Sequence, residues 1–196
     1  MKYIIALFLT WVATAGLATC PINPPIGTAL NQAYAELKFV KFSAEAQHLT
    51  DQLWSLWTRA PDGKAQRLLD NGMLKIRQGD LDEAEADLTE LVAYCPNYAE
   101  GYNQRAFVRY LSLKFKDALP DLEKALSIRP RHLGALSGAG LTYLALGRAA
   151  TAEIQFRKLL SLNPVEYLHA AFRAIKDDPD KLITPLEYRD LQINSS

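Results

Sequence analysis

Apolar residues recur through the centre of this chain at the three- and four-residue steps of amphipathic helices, and no strand is predicted. The helical stripes themselves repeat. Pro96, Pro130 and Pro164 are spaced by 34 residues, and so are Ala84, Ala118 and Ala152. Gly72, Ala106 and Gly140 keep the same step, as do Leu88, Leu122 and Phe156, and also Leu68, Tyr102 and Leu136. A fixed period of this size marks a repeat architecture, in which neighbouring units bury the apolar faces that none can bury alone.

Each unit holds two helical stretches, a short turn and a closing proline. The turns are Gln78-Gly79-Asp80, Leu113-Lys114 and Leu146-Gly147-Arg148. Glycine just after a helix adopts the left-handed cap conformation without steric cost. Small residues at 72, 106 and 140, and at 84, 118 and 152, predict close approach of paired helices. The prolines lack an N–H and turn the preceding residue away from helix, so they end the second helix of each unit. Pro120 conflicts with this pattern, standing five or six residues into the second helix of the middle unit. An interior proline costs about 3 kcal/mol, so that helix is expected to start late or bend near Ala118-Leu119-Pro120-Asp121.

These columns resemble the tetratricopeptide repeat, with its W-x2-L-G-x2-Y, A-x3-F and P signature. The third unit matches through Leu136, Ala139-Gly140, Tyr143, Ala152, Phe156 and Pro164. The second matches at Tyr102, Ala106, Ala118, Leu122, Ala125 and Pro130, with Arg105 and Arg109 departing from it. The first matches at Leu68, Gly72, Ala84, Leu88 and Pro96, with Asn71 and Lys75 departing. The resemblance implies an all-α helix-turn-helix solenoid, a right-handed superhelix, with units at 65–98, 99–132 and 133–166. It also implies a concave groove lined by the first helix of each unit. Carried over, the groove positions are Gln66, Asp70, Met73 and Arg77, then Asn103, Gln104, Phe107 and Tyr110, then Ser137, Leu141 and Leu144. The family's carboxylate-clamp variant needs Lys, Asn and Arg at set groove positions, and only Asn103 and Arg77 suit it. A receptor for chaperone C-terminal tails is therefore disfavoured. An apolar floor with amides at Asn103 and Gln104 suits an extended or helical segment whose backbone those amides read. The alternative is that the chain's own N-terminal helices or tail fill the groove.

The array needs caps. Upstream, Leu30, Ala33, Tyr34 and Leu37 form one stripe, and Leu49, Leu53, Leu56 and Trp57 another. With its leader this region spans 19–64 and reads as a divergent helical pair stacked on the first repeat. Trp54 and Trp57 give the second helix large contact area, so a docking surface is the alternative to a packed cap. The segment Cys20–Gly27, with Pro21, Pro24 and Pro25, is expected to be a flexible or extended leader. Downstream, Val165, Leu168, Phe172 and Ile175 predict a capping helix over 165–178, followed by a tail over 179–196.

Residues 1–18 differ from the rest. One basic residue, Lys2, precedes an uncharged apolar run from Tyr3 to Ala18, closed by the small residues Gly16 and Ala18. This is the pattern of a secretory signal peptide, expected to be cleaved after Ala18 or, earlier, after Ala15. A retained membrane anchor is one alternative. A lipoprotein is another, since Leu17-Ala18-Thr19-Cys20 looks like a lipobox, although Thr19 is bulky for that motif. Export places Cys20 and Cys95 in an oxidising compartment. A bridge between them would restrict the unfolded chain by about 4 kcal/mol. Cys20 lies at a frayed end, however, and a cysteine such as Cys95 near a helix end is commonly a small buried hydrophobe, so the bridge is not expected.

Composition narrows the function. Hydrophobic residues make up 49% and charged residues 22%, a globular balance that argues against disorder. Lys+Arg 22 cancels Asp+Glu 22, which removes the basic field that holds nucleic acid. His48, His132 and His169 have no metal-ligand partners at helical spacing, and structural or solvated roles are expected. Ser137, in Leu136-Ser137-Gly138-Ala139-Gly140, belongs to the repeat and not to a nucleophile elbow. The acidic run Asp80, Asp82, Glu83, Glu85, Asp87 and Glu90 is expected to be a solvated convex face. The expectation is therefore a secreted or periplasmic, non-catalytic scaffold that binds a protein or peptide partner, with no cofactor, metal or nucleic acid. A membrane enters only if the N-terminal segment is retained or Cys20 is lipidated, giving a tethered assembly scaffold. An enzyme with an unrecognised site is the remaining alternative, and it lacks the opposed carboxylates that sugar cleavage would need.

Overall fold

The computed structural model describes residues 19–40 and 43–162. Residues 1–18, Pro164, His169, the expected capping helix over 165–178 and the tail over 179–196 lie outside the described residues. Within them are eight helices and no strand. These are α1 (Gly27–Leu37), α2 (Ser43–Trp57), α3 (Gly63–Gln78), α4 (Leu81–Tyr94), α5 (Ala99–Leu111), α6 (Phe115–Ile128), α7 (Leu133–Ala145) and α8 (Ala149–Leu162).

Three antiparallel pairs, α3–α4, α5–α6 and α7–α8, stack in sequence. Small residues set their spacing. A Cβ on Gly72 would stand 2.7 Å from Leu88 Cγ, and one on Gly140 would stand 2.5 Å from two ring carbons of Phe156. Ala84, Ala118 and Ala152 are fully buried at the matching place on the second helices. The turns also repeat. Gly79 (φ 86°) and Gly147 (φ 73°) adopt the left-handed conformation, and Leu113 (φ 59°) does so at the equivalent place in the middle unit. α6 does not start late: it begins at Phe115 and runs through Pro120 to Ile128. Pro120 is exposed, so the carbonyl deprived of its N–H partner faces the solvent side of the helix.

Charged pairs replace apolar contacts where the middle unit departs from the repeat signature. Arg105 donates to both carboxylate oxygens of Asp121, at 2.8 and 2.6 Å. Arg109 donates to Asp121 at 2.9 Å and to Glu85 of the preceding unit at 2.7 Å. Lys75, the counterpart of Arg109 one unit earlier, pairs with Asp87 at 2.8 Å. The acidic run is therefore only partly a solvated face. Asp82 and Glu83 are exposed, whereas Glu85 and Asp87 are half-buried ion-pair partners.

α1 and α2 do not stack on the first repeat. Their stripes (Leu30, Ala33, Tyr34 and Leu37; Ala46, Leu49, Leu53 and Trp57) join one core with Tyr110 of α5 and Leu133, Leu136 and Leu141 of α7. Cys20 and Cys95 are bonded, contrary to expectation, with Cα atoms 5.1 Å apart. The leader is held rather than loose, because the Asn23 amide also donates to the Asn97 carbonyl at 2.6 Å. The chain folds back so that the start of the described segment meets the end of α4, a relation that local sequence does not encode. Closing the 75-residue loop restricts the unfolded chain by about 4 kcal/mol.

Candidate functional site

The first helices α3, α5 and α7 approach one another directly, and the second helices do so less, so α3, α5 and α7 line the inner face. The groove residues do not form one continuous open surface. Asn103, Gln104, Phe107, Tyr110 and Leu141 surround a cavity together with Trp54 of α2, Gly134, Gly138 and Thr142. Gln66, Asp70, Met73, Arg77, Ser137 and Leu144 stand outside its lining.

The two amides expected to read a partner's backbone are engaged inside the protein. Asn103 Nδ2 and Gln104 Nε2 both donate to Glu100 Oε1, at 3.2 and 2.6 Å. The other oxygen, Glu100 Oε2, lies 2.7 Å from His132 Nε2. His132 Nδ1 accepts the Ala135 N–H at 3.2 Å, capping α7, so the ring carries its proton on Nε2 and donates it to Glu100. Glu100, at 1% exposure, is thus a buried carboxylate held by three donors. Trp57 stacks on the His132 ring with centroids 4.3 Å apart, and the Tyr98 hydroxyl donates to the Trp57 carbonyl at 2.8 Å. The expectation of a structural role for His132 agrees with this placement. Sequence reasoning passed over Glu100, although it occupies the same place in its unit as Gln66 and carries amides three and four residues on.

The remaining groove residues divide by location. Gln66 donates to the Thr58 carbonyl and to Asp70, and accepts from the Ala60 N–H, fastening the link between α2 and α3. Asp70 and Arg77 are exposed on α3, and Met73 is half-buried in a cluster that includes Phe107. Ser137 and Leu141 are buried on α7, and Leu144 is half-buried. Burial pushes the Tyr110 hydroxyl up to about 12, so it is neutral in ordinary conditions.

The groove beside Phe107 and Tyr110 is therefore roofed by the chain's own helices. Besides the Trp57–His132 stack, the Tyr34 hydroxyl donates to the Arg131 carbonyl, and the Arg131 guanidinium lies over the Tyr34 ring and donates to Asn31. These contacts are made by long side chains, for the backbones of α1 and α2 stay farther from the solenoid than its own helices stay from each other. Among the described residues no group of three or more His, Cys, Asp or Glu is placed to hold a metal ion. No helix among them is long and apolar enough to cross a membrane.

Comparison with known proteins places this geometry. Residues 134–166 match the tetratricopeptide repeat model. A TPR repeat-containing protein of Rhizobium etli is 25% identical over 137 residues, 70% of this chain and 67% of that protein. The Hsp70-Hsp90 organizing protein of Triticum aestivum is 30% identical over 86 residues, 44% of this chain but 15% of that protein. Among solved structures, the MamA RS-1 ArsTM double mutant has a TM-score of 0.52 at 18% identity, covering 89% of this chain and 96% of that one. A tetratricopeptide repeat protein from Parabacteroides merdae has a TM-score of 0.51 at 22% identity, covering 83% and 68%. Identities that low speak for the fold alone. Repeat match, relatives and fold agree on an all-α solenoid of the tetratricopeptide type, with a matched repeat at 134–166.

Proposed function

We propose that the chain is an exported, non-catalytic scaffold that holds a segment of a partner protein against the inner face of α3, α5 and α7. The observation that carries this is the mostly apolar wall of Phe107, Tyr110 and Leu141, which Trp54 of α2 covers around a small cavity, so a partner segment takes the place that α2 occupies. Concave apolar sites with few polar groups are where proteins take ligands and peptide segments. Asn103 and Gln104 are committed to Glu100, so recognition rests on shape and apolar contact rather than on amide reading of a backbone. The engagement of Asn103 also leaves the carboxylate-clamp chemistry without its amide, which counts against the chaperone-tail role.

The Cys20–Cys95 bridge supports export, since such bonds persist in oxidising compartments. It also takes up the Cys20 sulfur that a lipid thioether would need, which favours an untethered chain over a lipidated one. Photo-crosslinking in the native cell tests the groove, with the crosslinker at Phe107 and a control at Lys124 on α6. A distinct protein adduct from the Phe107 position alone is expected, and identical adducts from both positions overturn the site. Intact mass of the purified protein tests export: loss of residues 1–18 is expected, and a retained Met1 overturns it.

A further inference from the structure

We propose that α1–α2 is a displaceable cover, latched by the Cys20–Cys95 bond, over a groove that accepts an amphipathic helix of α2 type from a partner protein. This rests on the groove reading above and specifies its occupant. The groove already holds such a helix. α2 seats an apolar stripe at steps of three, four and four (Ala46, Leu49, Leu53 and Trp57), with Trp54 in the cavity beside Phe107. A partner helix presenting leucines and tryptophans at that spacing meets the same walls.

The cover shares an apolar core with α5, α7 and α8, so its departure bares their side chains while the small-residue seams within the pairs stay packed. It contacts the array through side chains rather than closely packed backbones, and the repeats bury their own small-residue seams. Beyond the Trp57–His132 stack and the Tyr34–Arg131 and Arg131–Asn31 contacts, two restraints lie at its ends. At one end Gln66 holds the Thr58–Ala60 link. At the other, the bond to Cys95 ties the leader to the end of α4, and Asn23 adds a hydrogen bond to Asn97. While both ends are held, the hairpin stays at high effective concentration over the groove and outcompetes a free helix. Opening the bond removes one tether.

The bond can be reached. Cys95 is fully buried, but Cys20 is half-buried and lines a surface depression with Asn23, Tyr94 and Asn97. A dithiol reductant attacks Cys20 Sγ as thiolate, and the sulfur of Cys95 leaves and takes a proton. The second thiol of the reductant then resolves the mixed disulfide, releasing Cys20 as a thiol and oxidising the dithiol to its own disulfide.

The test uses the full chain and a fluorescent synthetic peptide of residues 44–58, followed by anisotropy. The bridged chain, the chain reduced with dithiothreitol and the Cys20→Ser variant are titrated in parallel, with circular dichroism of each. Binding at least ten-fold tighter in both unbridged forms is expected, and a peptide with Leu53→Asp and Trp57→Asp should not bind. Equal affinity in bridged and unbridged chains overturns the latch and leaves the groove reading standing. No binding to any form, with helical spectra intact, overturns the groove reading as well. Loss of helix on reduction or in Cys20→Ser shows that the cover is part of the fold and overturns the proposal.

Discussion

Arg105 and Asp121 face each other across α5 and α6 in a two-pronged ion pair, Nε to Oδ2 at 2.8 Å and Nη2 to Oδ1 at 2.6 Å. Asp121 is 4% exposed and also receives Arg109, so one carboxylate serves two guanidinium groups, with Glu85 as the second anion of Arg109. Burial opposes the charge on Arg105, and Asp121 outweighs it, holding the guanidinium above its ordinary value. Removing the shared anion strands the partly buried Arg105 and leaves Arg109 with Glu85 alone. Asp121→Asn should destabilise the protein by about 3 kcal/mol, read from urea unfolding. The apolar replacement Arg105→Met with Asp121→Leu should recover much of that loss, because neither desolvation cost is then incurred.

Leu113 adopts a backbone conformation that costs a non-glycine residue about 1–2 kcal/mol. Its side chain is 63% exposed, so little burial offsets the cost. Leu113→Gly should raise the urea midpoint by an amount corresponding to about 1 kcal/mol with an unchanged slope. A lowered midpoint would show that the leucine makes contacts that outweigh its backbone.

Thr142 is fully buried in the cavity wall, and its hydroxyl oxygen has no hydrogen-bond partner among the described residues. Valine keeps the branched shape and removes the unsatisfied group. Thr142→Val should therefore stabilise the fold by about 1 kcal/mol, measured by thermal unfolding.

Glu85 links the first two units through Arg109 and Lys114. Burial pushes its carboxyl up, and the hydrogen bonds and charges of Lys114 and Arg109 outweigh this, leaving it below the usual carboxylate range. A group depressed in the folded state stabilises above its unfolded pKa, about 4.3 for glutamate, and that contribution is lost as pH falls through the folded value. Glu85→Gln should thus melt below the wild type at pH 7. The two melting curves should converge in acid, with the wild type falling faster below about pH 4.5.

The solenoid was legible because its determinants are local and periodic. Gly72 against Leu88 and Gly140 against Phe156 lie sixteen residues apart in each unit, and the same step recurs down the chain. The cover was not legible in its placement. The stripes of α1 and α2 declare helices, but nothing near Trp57 announces a stack on His132. Glu100 was hidden for a related reason: a lone acid on a helix reads as solvated until the partners from α5 and α7 close around it. Leu113 broke the glycine column, and so its turn was placed correctly while its strain went unseen.

Stacked repeats lose order from their ends inward, each unit being supported only by its neighbours. The covalent ring from Cys20 to Cys95 encloses α1 through α4 and ties one end shut. The looped half then separates only as far as the bridge allows, until the bond is reduced.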